Sequence, residues 1–412
     1  MMRKQLVVIG GGASGFFCAV NAARLCPELK VIILEKSSKL LSKVKISGGG
    51  RCNVTYACFE IPLMAGSYPR GENFVKKTFH NFFTTDTIKW FEEKDVRLKT
   101  EPDGRMFPVS NSSQSIIDCL LKESSRLNIE IRLQSEVNEI QKTEEGFLLL
   151  INNSVNLNAD FVCVASGGYP KTNQFEWLLK TGHHVVSPVP SLFSFNMPGN
   201  PVRELMGVAV EKATVKIAGE KLKSEGPLLI THWGMSGPAI LKLSAWAARE
   251  LASKNYHFSI IVNWLPQFNE HRLTAEFKKL RIEWAGLKIG TKNPFNLPRR
   301  LWEYFLAQTR INPEQRWKEI SFAQLAKLGA GICSGEFKVE GKTTYKEEFV
   351  TAGGIKLSEI NHTTMESKIL ANLYFAGEVM DVDGITGGFN FQHAWTSGWI
   401  AGNSIAQKMK GA

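Results

Sequence analysis

Long uninterrupted apolar runs are lacking in this sequence, which excludes a membrane-spanning helix. A span needs about 18 or more consecutive apolar residues, whereas the apolar run at residues 6–9 ends at Gly10. Two basic residues precede that run, as in a signal peptide, but the run is too short for the apolar region of one. We therefore expect a soluble, cytoplasmic protein that has no membrane partner.

Cysteine motifs, internal repeats and low-complexity tracts are lacking as well. The seven cysteines form no CxxC pair and have no zinc-like spacing with histidine. This pattern argues against a metal site and against a disulfide framework. We expect reduced thiols and no bound metal.

Basic residues outnumber acidic ones but form no long tract. The formal net charge is +11, which raises three possibilities: a nucleic-acid partner, an anionic membrane surface or an acidic substrate. The clusters are short, at residues 76–77, 278–279 and 299–300. We interpret the charge as a solvated basic surface and expect no dedicated nucleic-acid site.

The opening of the chain reads as a βαβ unit within an α/β fold. Residues 6–9 and 30–34 have the apolar, β-branched character of strands, and residues 14–25 form an apolar, alanine-rich helix pattern. Such a unit predicts a parallel sheet that binds its ligand at the carboxyl ends of the strands.

Prolines interrupt the apolar periodicity near residues 188–201. Near residue 351 the sequence returns to the strand, glycine-rich loop and helix pattern of the first domain. Helices are expected at residues 74–91, 113–126 and 390–409, and strands at 129–133, 147–151, 160–165 and 373–376. Antiparallel strands should extend to about residue 266, helices should cover about 269–328, and a β segment should cover 336–350. The predicted domains are residues 1–190 plus 351–412, a β-rich substrate or cap subdomain at 191–266 plus 332–350, and a helical subdomain at 267–331.

The first chemical motif is a glycine-rich turn between the first strand and helix. Gly10, Gly12 and Gly15 have the GxGxxG spacing, and Glu35 closes the next strand. Glycines permit a tight turn close to a pyrophosphate, the helix N-terminus offers N–H groups, and the carboxylate accepts from ribose hydroxyls. This motif predicts a dinucleotide but leaves FAD and NAD open.

Two later segments favour FAD. A buried strand ends at residues 165–168, and another ends at residues 376–378, where Glu378 would accept from ribityl hydroxyls. The loop at residues 383–388 then presents the positive end of the last helix, which stabilises negative charge on a reduced flavin. No second GxGxxG occurs. NAD(P)H is therefore expected only as a transient electron donor.

The third motif is the glycine triplet within residues 43–53. Three glycines after Ser47 are too flexible for a packed element and suit a backbone that lies along a flat or anionic ligand. Lys43 and Arg51 are predicted to reach phosphate, and Asn53 to lie near the ring. Cys52 is interpreted as a structural thiol, not as a covalent flavin link, so FAD is expected to be non-covalent.

Five segments together resemble the BaiN/YhiN-like bacterial flavoproteins over nearly the whole chain. They are residues 46–53 (ISGGGRCN), 231–238 (THWGMSGP), 351–355 (TAGGI), 374–378 (YFAGE) and 387–390 (GGFN). That family includes aminoacetone oxidase and a reductase of unsaturated bile-acid intermediates. The resemblance implies a Rossmann-like FAD domain of the two-dinucleotide-binding-domain type, interrupted by a β subdomain and a helical subdomain.

The motifs and the resemblance together define a set of expected FAD-binding positions, among which Val137 would use its backbone for the adenine. The set is Gly10, Gly12, Ala13, Ser14, Gly15, Glu35, Lys36, Lys43, Ser47, Gly48, Gly49, Arg51, Cys52, Asn53, Val137, Ala165, Gly167, Gly377, Glu378, Asp383, Gly387, Gly388, Asn390 and Phe391.

Candidate catalytic residues are Asn53, Arg105, His232 and His393. Arg105 would be a cation on the substrate side, although a surface ion pair is the simpler interpretation. His232, with Trp233, would face the flavin. His393 stands where many relatives carry Trp and is interpreted first as a core or capping histidine. The segment at residues 231–238 lacks the GxSxG elbow of a serine nucleophile, and Ser236 and Pro238 there are expected to start a helix.

The leading functional hypothesis is hydride transfer between flavin N5 and a small organic substrate. The reaction would be oxidation of an amine or reduction of an activated double bond. An alternative is a tRNA-modifying flavoprotein, suggested by FAD together with the net charge of +11. A third hypothesis is an FAD-containing binding protein without turnover.

Overall fold

The computed structural model describes residues 3–343 and 350–411, which form two compact units. Of the described residues, unit 1 comprises 3–190 and 350–411, and unit 2 comprises 191–343. The finer, three-part division drawn from the sequence stays a prediction. Among the described residues, no helix combines the length and apolar character needed to cross a membrane.

The first part of unit 1 alternates strands and helices. Its elements are β1 (Gln5–Ile9), α1 (Ala13–Leu25), β2 (Lys30–Leu34), α2 (Ser42–Gly50), β3 (Thr55–Tyr56), α3 (Ile61–Ala65), α4 (Glu72–Thr78), α5 (Thr84–Glu92), β4 (Leu98–Thr100), β5 (Arg105–Pro108), α6 (Gln114–Arg126), β6 (Glu130–Arg132), β7 (Val137–Lys142), β8 (Phe147–Ile151), β9 (Val155–Ala159), β10 (Phe161–Val164), α7 (Glu176–Leu179) and β11 (Val185–Ser191).

Unit 2 combines an antiparallel sheet with helices. Its elements are β12 (Ser194–Asn196), β13 (Ala209–Ile217), β14 (Lys223–Ile230), β15 (Gly234–Ser236), α8 (Pro238–Trp246), α9 (Ala248–Ser253), β16 (His257–Asn263), α10 (Glu270–Glu283), α11 (Arg299–Gln308), α12 (Phe322–Ser334), β17 (Gly335–Glu340) and β18 (Lys342–Thr343). The chain then returns to unit 1 with β19 (Val350–Ile355), β20 (Leu373–Phe375) and α13 (Phe389–Lys410).

A five-stranded parallel sheet organises unit 1, in the order β20, β10, β1, β2, β6. All four residues of β10 are buried, as are four of the five residues of β1, because helices cover both faces of such a sheet. Since the strands are parallel, their carboxyl ends meet at one edge. The segments after Ile9, Leu34, Val164 and Phe375 therefore lie side by side.

Helices α1 and α13 pack closely against one another, and two glycines of α13 permit this. A Cβ on Gly398 would lie 2.5 Å from the carbonyl oxygen of Ser14, and one on Gly402 would lie 2.6 Å from that of Cys18. Both distances are too short for real atoms. The glycines thus allow the middle of the last helix to pack directly against the backbone of the first turns of α1.

The seven-stranded antiparallel sheet of unit 2 has the order β17, β16, β13, β14, β15, β12, β18. Its buried core includes Val215 and Ile260 from strands and Trp302 and Leu325 from helices. Helix α8 packs against β13 and β14, and α10 packs against α12. Antiparallel strands followed by helices agree with the sequence pattern for this part of the chain.

Three expectations about elements were wrong. The helix expected at residues 74–91 is two helices, because α5 starts anew where the Asp86 carboxylate accepts from the backbone N–H of Phe83 (2.8 Å). Helices α8 and α9 interrupt the antiparallel strands that were predicted to extend to about residue 266, where only a helix start at Ser236 and Pro238 was expected. Pro238 begins α8 as expected, but Ser236 does not cap it: Gly237 is the capping residue, and the Ser236 hydroxyl lies 2.7 Å from that of Ser194.

The predicted β segment at 336–350 is β17 and β18 as far as residue 343, and residues 344–349 lie outside the described residues.

The α1–α13 contact gives a stability prediction. Gly402→Ala should lower the free energy of unfolding by about 1–3 kcal/mol, because the added methyl group overlaps the Cys18 carbonyl and the helices must separate. Thermal or urea unfolding measures the effect. Gly66→Ala is the matched control: Gly66 has φ −61°, and a Cβ there would meet its nearest atoms at 3.5 Å. Equal stability of the two variants would contradict the packing argument.

Candidate functional site

The turn between β1 and α1 needs glycine at two of its three motif positions for reasons internal to the fold. Gly10 has φ +116°, and a Cβ on it would lie 2.3 Å from the carbonyl oxygen of Ala165. A Cβ on Gly15 would lie 2.0 Å from the carbonyl oxygen of Gly10. At Gly12, by contrast, a Cβ would meet no heavy atom of the described residues within 4 Å, outside its own helix and neighbours. The backbone there is open to a ligand.

Helix α1 presents its positive end at this open position. It begins at Ala13, and its N-cap residue is Gly12, which has no side chain that could cap the helix. The N–H groups of the first helical turn have no acceptor within the helix and carry the positive end of the helix dipole. An anion such as a pyrophosphate fits this end of the helix.

Glu35 is held beside the same turn. Its Oε2 accepts from the backbone N–H of Gly11 (2.9 Å), and its Oε1 accepts from that of Ser37 (2.8 Å). The carboxylate therefore lies at the carboxyl end of β2, between the phosphate turn and the next loop. This is the position from which an acidic residue reaches a ribose.

A cavity of about 320 Å³ opens next to Glu35. Lys36, Val137, Ser166 and Tyr169 line it, and its volume is in the range of small-ligand sites. The Ser166 hydroxyl is buried there and has no hydrogen-bond partner among the described residues. The cavity is therefore lined both by residues of the predicted FAD-binding set and by residues outside it.

A second group of polar residues lies at the carboxyl end of β20. Glu378 Oε1 accepts from the backbone N–H of Thr351 (2.9 Å), and its Oε2 lies 2.6 Å from Lys43 Nζ. A Cβ on Gly168 would lie 2.4 Å from Thr351 Oγ1 and 2.7 Å from Glu378 Oε1. Gly377, at φ +76°, fits closely against the Ser14 hydroxyl. The segments after β10 and β20 therefore meet α1 here.

The structure places Lys43 and Arg51 in ion pairs. Lys43 pairs with Glu378, and Arg51 Nη1 lies 2.5 Å from Glu101 Oε1. The Arg51 guanidinium also lies 4.0 Å from the centre of the Phe107 ring. The predicted contact of these two residues with phosphate stays a prediction, and each side chain has further N–H donors beyond the one that its carboxylate accepts from.

The glycine triplet departs from helical geometry, as expected for a loop that follows a ligand. Ser47 has ψ 148°, and Gly48 and Gly49 have φ +59° and +70°. Cys52 is buried, and this burial raises the pKa of its thiol to about 12. A protonated, buried thiol agrees with the structural role expected for Cys52.

Asn53 and Asn390 fix the loop that precedes α13. The Asn53 amide donates to the Thr55 carbonyl (3.1 Å) and accepts from the backbone N–H of Gly388 (3.0 Å). Asn390 closes the other side: its Oδ1 accepts from the N–H of Gly384 (2.8 Å), and its Nδ2 donates to the Gly384 carbonyl (3.0 Å). The start of α13 and the third motif are thus held together.

Aromatic rings surround this helix start. Phe389 stacks on Tyr56 with ring centres 4.9 Å apart, and Phe391 stacks on Trp395 at 5.8 Å. Tyr56 lies shortly after the third motif, in a segment that matches no recognised sequence pattern. Thr351, Ser166 and Tyr56 are the residues that sequence reasoning missed. Thr351 and Ser166 lay in segments already noted, the TAGGI sequence and residues 165–168, but neither was predicted as a site residue.

The catalytic candidates fall in different surroundings. Arg105 Nε lies 2.7 Å from Asp103 Oδ2 at the surface, which is the ion pair expected for it. His232 contacts Trp233 within unit 2, with ring centres 4.3 Å apart, and its orientation toward a flavin stays a prediction. His393 lies in α13 of unit 1, with 2% of its surface exposed.

His393 is a neutral, buried imidazole. Burial lowers its pKa to about 4, against a smaller opposing effect from the Gly377 carbonyl, which lies 3.3 Å from Nε2. Its Nδ1 is buried without a hydrogen-bond partner among the described residues. A core histidine is the expected interpretation, and its neutrality makes it unsuited to donate a proton near pH 7.

This burial predicts a pH-dependent stability. Because the folded-state pKa lies below the unfolded value near 6.5, the unfolded chain binds the extra proton, so stability falls as the pH drops from about 6.5 toward 4. His393→Gln should remove part of that loss. Urea unfolding of both proteins at pH 7.5 and pH 5 gives the comparison. Equal losses in the two proteins would show that His393 contributes none of the pH dependence.

Comparison with known proteins matches residues 4–404 to the family model described as the HI0933-like protein Rossmann domain. The chain is 29% identical to the ribosomal RNA dihydrouridine synthase of Escherichia coli K12, with 98% of each protein covered. It is 26% identical to the 3-dehydro-bile acid delta(4,6)-reductase of Clostridium scindens, with 98% of this chain and 99% of that protein covered.

Among solved structures, the 3-ketosteroid-Δ4-(5α)-dehydrogenase of Rhodococcus jostii RHA1 superposes with a TM-score of 0.52. It is 12% identical, and the match covers 98% of this chain and 97% of that one. This likeness shows a shared fold. The α/β fold class and the resemblance to BaiN/YhiN-like flavoproteins are confirmed. The chain therefore belongs to the HI0933-like family and is an FAD-dependent oxidoreductase.

Proposed function

We propose that FAD lies along the carboxyl edge of the parallel sheet in unit 1. The cavity beside Glu35 suits the adenosine, the open backbone at Gly12 suits the pyrophosphate, and Glu378 suits the ribityl hydroxyls. The flavin ring would lie between residues 47–53 and the start of α13. The predicted FAD-binding set spans this whole path, and the unpartnered Ser166 hydroxyl supports the adenosine end.

The reaction we propose is reduction of a carbon–carbon double bond conjugated to a carbonyl group. The observation that carries this proposal is that the reactions named for the two relatives both add hydrogen to such a bond. One saturates uridine to dihydrouridine, and the other reduces a 3-oxo-4,6-diene. A hydride would add to the carbon β to the carbonyl, and a proton to the α carbon. When bound and reduced, FAD would supply the hydride from N5, and water would supply the proton.

The chain's own residues would orient and polarise the site. The positive end of α13, a helix of 22 residues, begins beside the Asn53 amide and favours negative charge on the adjacent pyrimidine part of a flavin. Asn53 and Asn390 hold that end in place by hydrogen bonds to Gly388 and Gly384. Fixing the ring in this way meets the main requirement of hydride transfer, which is orientation.

The electron donor we propose is NAD(P)H, which would visit the flavin transiently. A reductase needs a source of hydride, and the sequence contains no second GxGxxG motif for a resident nicotinamide domain. The cytoplasm supplies that donor, and it is the location we propose. The seven cysteines all have free thiols, which suits a reducing compartment.

RNA is the second candidate substrate. It is favoured by the name of the Escherichia coli relative and by the net charge of +11. RNA and a small enone differ in how they bind. RNA binding depends on contacts between the protein surface and phosphates and weakens steeply with salt, whereas binding of an uncharged enone does not. The tRNA hypothesis drawn from the sequence belongs to the same class. The two substrate classes are therefore separable by one set of measurements.

Gly12→Asp tests the position of the cofactor. Gly12 is an extended N-cap residue with open space at its Cβ, and Asp is among the best N-cap residues. We therefore expect the folded protein to be at least as stable as the wild type without flavin. FAD binding should weaken by about a hundredfold or more, because the carboxylate competes for the first-turn N–H groups and repels phosphate. Full flavin loading of this variant would contradict the proposed site.

Anaerobic stopped-flow spectroscopy tests the reaction. We expect NADH or NADPH to bleach the flavin, and a 4,6-dien-3-one steroid or a uridine-containing rRNA to reoxidise it with saturation of the double bond. Aminoacetone, tested as the reductant, covers the amine-oxidation alternative. Oxidation of the amine with no response to either unsaturated substrate would overturn the reductase proposal. Activity on rRNA that is lost between 50 and 200 mM salt would identify RNA as the substrate.

A further inference from the structure

A short segment that the cofactor site does not otherwise use lies directly beneath the flavin-facing loop. We name residues 67–71 the support segment and residues 382–389 the flavin loop. Tyr68 Oη donates to the carbonyl of Phe389 (2.6 Å), and Ile385 N–H donates to the carbonyl of Ser67 (3.0 Å). A Cβ on Gly71 would lie 2.7 Å from Val382. The support segment therefore contacts both ends and the middle of the flavin loop.

The strongest contact between the two segments is a buried ion pair. Arg70 donates through Nε to Asp383 Oδ1 (2.6 Å) and through Nη2 to Asp383 Oδ2. The exposed fractions of the two side chains are 8% and 0%. Their backbones also form an isolated antiparallel bridge. Two parallel hydrogen bonds fix the carboxylate in orientation as well as in place.

The charge of Asp383 matters because of where the loop leads. Asp383 opens the segment that ends at the positive N-terminus of α13, and a buried carboxylate beside that terminus would oppose its field. The Arg70 guanidinium supplies the opposite charge at hydrogen-bond distance. The two charges oppose one another, so the pair subtracts less from the field of the helix terminus than the carboxylate alone would.

We propose that Arg70 is a positioning residue of the flavin site, which acts through Asp383. It holds the flavin loop against the support segment and cancels the carboxylate charge beside the ring. This inference rests on the proposed position of FAD and goes beyond it, because it assigns the flavin's redox potential to a residue outside the predicted FAD-binding set. The arrangement juxtaposes a buried, doubly hydrogen-bonded ion pair and the start of the flavin-facing helix.

Because the two side chains carry opposite charges, variants of each should shift the flavin midpoint potential in opposite directions. Arg70→Gln removes the positive charge that faces the Asp383 carboxylate, which makes the local field more negative, disfavours electron density on the ring and lowers the flavin potential. Asp383→Asn removes the negative charge that faces the Arg70 guanidinium and raises the potential. The double variant Arg70→Gln/Asp383→Asn is neutral again, so its potential should return close to that of the wild type. A purely structural role would not produce shifts of opposite sign.

The experiment measures the flavin midpoint potential, the visible flavin spectrum and the Kd for FAD in these three variants. We expect roughly tenfold weaker FAD binding in Arg70→Gln and recovery to within about threefold of wild type in the double variant. Arg70→Lys keeps the charge but loses the double hydrogen bond, so its potential should stay at the wild-type value while FAD binding weakens. If Arg70→Gln fails to fold, Arg70→Lys takes its place as the test of whether the double hydrogen bond positions the flavin site.

Arg126→Gln is the matched control. Arg126 pairs with Glu123 along α6 in the same unit, with 56% of the Arg126 side chain and 10% of the Glu123 side chain exposed, and neither residue belongs to the predicted FAD-binding set. It should leave the potential and FAD affinity unchanged. Same-sign shifts in the two single variants, or a double variant no closer to wild type than Arg70→Gln, would overturn the proposal. These readings come from the flavin itself, so a failure to reduce any enone or RNA would count against the proposed reaction alone.

Discussion

The site depends on the close approach of two backbones at the carboxyl edge of the parallel sheet. Gly10 lies so near the carbonyl of Ala165 that a Cβ would be 2.3 Å from it, and Gly15 lies equally close to the carbonyl of Gly10. These contacts fold the turn tightly enough for α1 to start directly above β1. Its unpaired N–H groups consequently point at the same edge at which the segments after β2, β10 and β20 end.

Electrostatic pairing across long sequence distances completes this arrangement. Lys43 meets Glu378, and Arg70 meets Asp383, so residues from the first fifth of the chain neutralise carboxylates near its end. The sheet explains these pairs, because β20 lies beside β10 at one side of the sheet although the whole of unit 2 separates them in sequence. The return of the chain to unit 1 after unit 2 is therefore what brings the charged groups of the site together.

Local patterns made the first part of the site predictable. The strand, glycine turn, helix and second strand are contiguous, and the observed β2 and β8 coincide with the expected ranges. The partners of the predicted residues were not predictable, because Glu101, Arg70 and Thr351 come from distant segments that carry no motif for those contacts. The break between α4 and α5 was missed for a related reason: the apolar spacing continues across it, and the Asp86 contact that restarts the helix depends on one side chain.

The fold constrains the chemistry more than it constrains the substrate. The superposition on a steroid dehydrogenase at 12% identity shows how far sequences can diverge on this scaffold, since hydride transfer asks of the protein mainly orientation and a suitable field. In the proposed function both requirements would be met within unit 1, by the ends of α1 and α13 and by the residues that hold them. A conjugated double bond in a steroid and one in a uracil ring would present the same electronic problem to the proposed site. The two proposed substrates differ in the size and charge of the rest of the molecule, which surfaces away from the flavin would have to recognise.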